Sequence, residues 1–428
     1  MSDSESLFEE ILGAPDRDHC PGATPVVSFR EDDEAEFLDA ISARARTRVS
    51  LERRGVFHGD LAEVEAGELV ADMGMPLDAV MSQRWHTARP ILLPGMIDVA
   101  GFDDLIGTRQ RLHAELKEPN GLRDFLTSRA EHFEPSFTVQ GRPARMGTDK
   151  RDIEKVGINW KLHEESSSSP RMKDLWVKSG WLSDRDDDES LRMRVSFGRE
   201  VDDDASRDVR KHRRVTELVE AILPEAALLH NDQALSATVD NLVGSPTFFT
   251  QHIAYWNAPG GGALFHHDAF AEESTGGQKG VCFVQMSGST AWLALSVEDL
   301  TRRVIEFLGF LEDGELSWVK RQVFKGREDF EQVLRWAKRF KRLEKEVSKP
   351  GCGVLSALVN CGPEFTSFLA DAGHAYVLHP GDALLLPNHG YSRTAMHSVF
   401  SASEAPGYAL SMAIREIDPP EIEPPEEP

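Results

Sequence analysis

The sequence is short of cysteine and of positive charge. Four cysteines occur in 428 residues, Cys20, Cys282, Cys352 and Cys361, and none forms a C-x-x-C pair or a zinc-like spacing. Scattered thiols of this kind persist in a reducing cytosol, so a cytoplasmic protein without disulfides is expected. Lys and Arg number 48 against 72 Asp and Glu, a net charge of −24. That balance excludes a general nucleic-acid binder, which needs cations to neutralise phosphates. No apolar run is long enough to cross a bilayer. The acidic Met1–Glu10 stretch lacks the basic-then-apolar pattern of a signal peptide, so no membrane partner is expected. Gly260-Gly261-Gly262 lacks the Lys-Ser/Thr of a phosphate loop and reads as a tight turn. There is no His-Glu-x-x-His and no Ser-His-Asp order to support a hydrolase.

What is present is a chain of two textures, 40% hydrophobic and 28% charged, with no internal repeat. Residues 1–245 read as a mostly helical support or substrate-recognition region. Apolar spacing predicts helices over Ser6–Leu12, Glu34–Ala45, Asp103–Leu116 and Val215–Leu228. Glu164–Pro170 reads as a flexible loop, and the acidic runs Asp186–Asp188 and Asp202–Asp204 read as solvated. From residue 246 short strands dominate: Thr247–Trp256, Ala263–Asp268, Val281–Met286, Ala291–Leu295, His374–His379, Ala383–Leu386, Met396–Ser401 and Tyr408–Arg415. Many short strands with turns between them indicate a sandwich or barrel. A helical insertion over 297–350 interrupts them. There Phe330, Val333, Leu334, Ala337 and Phe340 form an apolar stripe, opposite Arg335, Arg339, Arg342 and Lys345. That basic face reads as solvated, with a lid or docking role as the functional alternative. Residues 417–428 are acidic and proline-rich, and are expected to form a disordered tail.

The chemistry concentrates in Phe265-His266-His267-Asp268. On a strand, residues two apart share a face, so His266 and Asp268 converge while His267 points away. One further imidazole from a distant strand would complete the two-His, one-carboxylate facial triad of non-haem Fe(II) oxygenases. His379 lies at a turn, His389 in the Pro387-Asn-His-Gly390 loop, and His397 on a strand. A strand holds a ligand more rigidly, which favours His397 and leaves His389 as the alternative.

Four segments in order carry a resemblance: Phe265–Asp268, then Gly280-Val-Cys-Phe-Val-Gln-Met-Ser-Gly-Ser-Thr-Ala-Trp292, then Pro380-Gly-Asp-Ala-Leu-Leu-Leu-Pro387, then His397-Ser-Val399. From Thr247 to Arg415 the chain resembles the JmjC and cupin-like 2-oxoglutarate oxygenases. The resemblance implies an α+β fold in which residues 246–416 form a double-stranded β-helix, a squashed cupin-type barrel. It assigns His266, Asp268 and His397 to Fe(II), with 2-oxoglutarate as cosubstrate. It also implies hydroxylation of a C–H bond on a peptide or protein side chain or an amino-acid-like metabolite. An acid at the second ligand position leaves no place for halide. Three departures stand out: a long loop after Asp268, Thr290 where many relatives carry Lys, and ten positions between Pro387 and His397, which keeps His389 in contention.

A guanidinium suits the far carboxylate of 2-oxoglutarate because it makes two parallel hydrogen bonds. Arg415 is the leading candidate, sharing a strand face with Ser411 and Ala413. Lys279 and Arg393 are alternatives, and the resemblance adds the Thr290 hydroxyl. The acidic surface would suit a basic substrate, and a homodimer is compatible with the sequence. Two other functions compete: a cupin metalloenzyme that does not use 2-oxoglutarate, and a non-catalytic binding module.

Overall fold

The computed structural model describes residues 48–52, 61–65, 77–132, 137–140, 151–160, 172–183, 188–197, 209–269, 278–312, 314, 317–324, 326–349, 353–361 and 364–417. The helices expected over Ser6–Leu12 and Glu34–Ala45, the Glu164–Pro170 loop, the Asp202–Asp204 run and the tail beyond residue 417 lie outside the described residues.

Fifteen strands are described: β1 Arg48–Glu52, β2 Leu61–Glu65, β3 Ile91–Leu93, β4 Phe137–Gln140, β5 Asp152–Trp160, β6 Met172–Trp181, β7 Leu191–Phe197, β8 Thr247–Asn257, β9 Gly262–His266, β10 Gln278–Ser287, β11 Thr290–Ser296, β12 Ala375–Leu378, β13 Ala383–Pro387, β14 Ala395–Ser401 and β15 Gly407–Glu416. β1 and β2 pair with each other. The others form a nine-stranded sheet, β3-β13-β10-β15-β8-β7-β6-β5-β4, and a four-stranded sheet, β12-β11-β14-β9. All pairings recorded between these strands are antiparallel. Mixed helix and antiparallel sheet is the class the sequence implies.

Side-chain alternation builds three apolar layers. Phe283, Leu384, Leu386 and Ala409 of the large sheet meet Trp292, Tyr376, Leu378 and Val399 of the small one. The opposite set on β15, Tyr408, Leu410, Met412 and Ile414, packs into the core that holds Leu112, Leu122, Leu218 and Leu229 of the helices preceding β8. Ala291, Leu293 and Leu295 face Leu300, Val304, Phe307 and Phe365 of the helices between β11 and β12. Each fully buried Leu or Phe contributes about 1.5–3 kcal/mol, so both sheets are clamped from outside as well as against each other.

Three expectations need correction. The region before residue 246 is not simply a helical support: β4 to β7 extend the large sheet, and β7 pairs directly with β8. β5 and β6 place charged residues among apolar ones over short spans, which blurs the period-2 signal. The helical insertion reaches Asp371, not residue 350, because helices over Gly353–Val359 and Glu364–Asp371 complete it. The helix expected over Val215–Leu228 is two, Val209–Ile222 and Ala226–His230. Pro224 separates them, since it lacks an N–H and its ring clashes with the preceding turn. Within the insertion, Arg335, Arg339, Arg342 and Lys345 are exposed, which matches a solvated face.

Candidate metal centre and cavity

β8 turns into β9 through Gly260-Gly261-Gly262. This turn rests on Asp188, whose carboxylate accepts from the Gly262 N–H, and on Ser190, whose hydroxyl accepts from the Ala258 N–H. A Cβ at Gly261 would overlap both side chains, so only glycine fits there. The turn sets the start of β9, and β9 ends on His266.

His266 lies opposite His397 in the β9–β14 ladder. The two rings are 4.3 Å apart between centroids. Asp268, just past the end of β9, brings its Oδ2 to 3.7 Å from His397 Nε2. One ligand atom from each of His266, Asp268 and His397 lies within 4.8 Å of the others. His266 Nδ1 is 2.7 Å from the Leu264 carbonyl oxygen, and His397 Nδ1 is 3.2 Å from that of Ala395. A carbonyl only accepts, so each Nδ1 carries the proton and each Nε2 keeps its lone pair. His267, past the end of β9, is not part of the triad, although it too borders the cavity. Its Nε2 donates to the Ser348 carbonyl at 2.8 Å and its Nδ1 accepts from the Ala269 N–H at 3.1 Å, tying the triad loop to the helical insertion.

Electrostatics favour a neutral His397 ring beside an ionised Asp268. Burial pushes the His397 ring down to about 4, and the neighbouring His266 adds to this against the pull of Asp268. Burial raises the Asp268 carboxyl, but His397, His266, His267 and Arg194 together hold it below the usual carboxylate range. Neutral imidazoles and a carboxylate are the protonation states a divalent metal needs. As a donor set they suit non-haem Fe(II), so the residues present fit that ion.

The triad opens onto a cavity of about 240 Å³. One wall is aromatic: Trp292 lies 5.6 Å from His397, Phe283 4.6 Å from Trp292, and Tyr255 5.8 Å from Phe283. Ser411 and Ala413 of β15 and Gln278 of β10 line it as well. Arg192 and Arg194 of β7 line the remaining side.

The other sequence candidates fall elsewhere. His389 stands edge-on to Trp85 with its Nε2 2.9 Å from that residue's carbonyl oxygen, outside the triad. His379 Nδ1 lies 3.3 Å from the Ser289 hydroxyl, beside the Pro380-Gly381 turn. The Thr290 hydroxyl donates to Gln285 Oε1 at 2.7 Å and accepts from Trp292 Nε1 at 2.9 Å. Thr290 is not on the cavity wall; it fixes the indole that is. Lys279 pairs with Glu416 at 2.9 Å, and Arg393 donates to the His86 carbonyl. Neither lines the cavity: Val281 and Phe283 do, and a register shift between Gln278 and Gly280 breaks the alternation that would put Lys279 on their face and brings Gln278 there instead. Arg415 is 1% exposed. It does not itself line the cavity, but its register partner Gln278 and its face-mate Ala413 do. Sequence reading missed Arg192 and Arg194. The alternation of Leu191-Arg-Met-Arg-Val-Ser-Phe197 could have shown a strand with two cations on one face, but not which sheet it joins.

No protein-family model matches the chain, and no curated protein matches it in sequence. Several solved structures are similar to it. An Escherichia coli ycfD structure aligns at 13% identity over 80% of this chain, with a TM-score of 0.26. That alignment spans 53% of the ycfD chain, about half its length. A further structure of that protein is described as a ribosomal oxygenase. The non-haem α-ketoglutarate-dependent epimerase SnoN from nogalamycin biosynthesis aligns at 12% identity over 79% of this chain and 83% of that one, TM-score 0.29. An oxidoreductase of the 2OG-Fe(II) oxygenase family from Burkholderia pseudomallei aligns at 8% identity over 81% and 92%, TM-score 0.27. At these levels of similarity the functional reading rests on the site's own geometry. In the order of its motifs, and in the His-x-Asp and distant His brought together across β9 and β14, the chain is similar to the JmjC-like 2-oxoglutarate/Fe(II) oxygenases.

Proposed function

We propose that this protein is an Fe(II)- and 2-oxoglutarate-dependent oxygenase that hydroxylates a C–H bond. The observation that carries the reading is the convergence of His266, Asp268 and His397 at the mouth of a cavity that leaves one side of the triad open. The strand orders β13-β10-β15-β8 and β12-β11-β14-β9, with a shared apolar layer, support a double-stranded β-helix over residues 247–416. The buried free thiol Cys282 suits a reducing cytosol.

In this reading His266 Nε2, His397 Nε2 and the Asp268 carboxylate hold the iron. Iron with 2-oxoglutarate and O2 supplies oxidative decarboxylation to succinate and CO2, coupled to oxidation of the substrate. The protein orients and shields. Leu264 and Ala395 carbonyls keep the two imidazoles in the ligating tautomer. Trp292, Phe283 and Tyr255 exclude water from one wall. Arg415, buried next to Gln278, receives the cosubstrate's far carboxylate through its planar fork. Asp268 fills the position that an open halide site would need, which favours hydroxylation.

The test is succinate release by the full chain with Fe(II), 2-oxoglutarate and O2, beside a His397→Ala control, with Fe(II) or Ni(II) retention measured on protein purified without oxygen. Metal retention and succinate formation are expected from the native chain and from neither His397→Ala nor the His266→Ala/Asp268→Ala pair. Metal retention without succinate would instead favour a cupin enzyme that does not use 2-oxoglutarate. No metal in any form would sink the proposal and favour a binding module.

A further inference from the structure

The helical insertion carries a concentration of charge that the proposed active site does not use. Residues 317–349 hold eleven Lys and Arg against five Asp and Glu, in a chain whose net charge is −24. The helices Arg327–Ala337 and Phe340–Val347 meet at Lys338-Arg339. Phe330, Val333, Ala337, Leu343 and Val347 turn inward. Arg335, Lys338, Arg339, Arg342, Lys345 and Lys349 are exposed. Arg342 and Lys349 both pair with Glu346. Arg335, Lys338, Arg339 and Lys345 make no ion pair with any described residue. Lys341 and Lys345 stand one turn apart on the second helix, as do Arg342 and Lys345. Like charges at that spacing repel and weaken the helix that carries them. A face kept only for solubility would mix the two signs. This one gathers a single sign, which an anionic partner would neutralise.

Beside it lies a groove of about 990 Å³. Phe324, Phe330 and Leu334 give it an apolar floor, and Lys320, Arg321 and Arg327 stand around them. Lys320 Nζ lies 3.8 Å over the Phe330 ring. Arg321 is exposed and makes no ion pair with any described residue. Arg327 pairs with Glu331 at 2.6 Å, an exposed pair one turn apart that contributes little and can exchange. Leu334 and Arg335 are neighbours in the chain, so the apolar floor and the cationic face are continuous.

We infer that this surface docks an acidic segment of a polypeptide partner, with carboxylates on the cationic face of the two helices and an apolar side chain in the groove. A nucleic acid fits less well. The groove also presents Glu312 and Glu331, which spaced carboxylates can avoid and a continuous polyanion cannot. The helices are 11 and 8 residues long, roughly 16 and 12 Å, the span of a short peptide. Past that span a longer polyanion meets the rest of a chain whose net charge is −24 and is repelled. The face ends at the triad loop: the Ser348 carbonyl accepts from His267, and His267 borders the cavity. A partner docked here therefore lies beside the cavity rim. Docking needs neither metal nor cosubstrate, so it stands or falls apart from the oxygenase reading.

The experiment uses the full chain without added metal, read by fluorescence anisotropy. The probe is a pool of labelled dodecapeptides, each with six Asp or Glu and two Leu or Phe at varied spacing. The comparison probes are the same pool with Asn and Gln for the acids, the same pool with Ser for the apolar residues, and a 12-nucleotide single-stranded RNA. The acidic pool is expected to bind, and to weaken about tenfold or more between 50 mM and 500 mM NaCl, because exposed charges are screened. Arg335→Glu/Arg339→Glu/Lys345→Glu should bind it about tenfold or more weakly, since three exposed pairs are lost and three like charges take their place. Circular dichroism melting of that variant should match wild type. Arg111→Glu, an exposed reversal on another helix, should bind as wild type does. Leu334→Ala should weaken the apolar-bearing pool about threefold or more and leave the Ser pool unchanged. No binding by the acidic pool, equal binding by the amide or Ser pools, wild-type affinity in the triple variant, or RNA bound more tightly than peptide would each overturn the inference.

Discussion

Acidifying the metal-free protein should expose one buried histidine above others. His374 closes the helical insertion just before β12 and is 3% exposed. Its Nε2 accepts a hydrogen bond from Arg303 Nε at 3.2 Å, so the ring must be neutral there. Burial is the main cause that drives its pKa down to about 3; Arg303, Arg84 and Arg89 add to this against the pull of Asp299. An unfolded histidine titrates near 6.5. Between about 6.5 and about 3 the unfolded chain therefore binds a proton the folded chain refuses. Stability from this group is complete above pH 6.5 and is lost as pH falls toward 3. The loss between pH 7 and pH 4.5 is about 3 kcal/mol, at roughly 1.4 kcal/mol per unit. His374→Gln keeps an acceptor for Arg303 but cannot titrate. Urea unfolding of both proteins with chelator present, at pH 7 and pH 4.5, isolates the effect as a difference of differences. The variant should be less pH-sensitive by about that amount. The His374 carbonyl also accepts from Ala294 N–H, and Ala294 lies opposite His397 in the β11–β14 ladder. Acid should therefore loosen the triad along with the insertion. Equal pH dependence in the two proteins would refute the reasoning.

Two further outcomes are expected. Glu225→Ala leaves the buried Arg109 guanidinium, now bonded at 2.6 and 2.7 Å, without its counterion and removes the acceptor of the Tyr408 hydroxyl; a loss of about 3–5 kcal/mol should appear in urea unfolding. Thr290→Val removes the hydroxyl that joins Gln285 to Trp292 and should cost about 1–3 kcal/mol while leaving the 2-oxoglutarate KM near wild type. A large rise in that KM with unchanged stability would mean that Thr290 touches the cosubstrate after all.

The barrel strands were legible because each is a short apolar or alternating run between Gly, Pro or Ser turns; β8 to β15 fall within a few residues of their expected bounds. β4 to β7 were not: charged residues interrupt the period in β5 and β6, and although β7 alternates, its pairing partner leaves no local trace. His266 and Asp268 were legible as a pair from their two-residue spacing, although β9 ends at His266 and the segment after the strand, not strand alternation, places Asp268. That the Thr290 hydroxyl joins Gln285 to Trp292 was not legible, because a hydroxyl on a strand says nothing about whether it faces a cavity or a neighbouring indole.

The sequence by itself determined the local terms: where strands and helices form, which residues share a face, and that two candidate ligands lie two apart. Only the tertiary structure brought His397 rather than His389 beside His266 and Asp268, put β7 and its arginines on the cavity wall, and set Arg415 opposite Gln278. Those outcomes depend on register between segments far apart in the chain, set by the summed packing of three apolar layers, and no window of the sequence contains that sum.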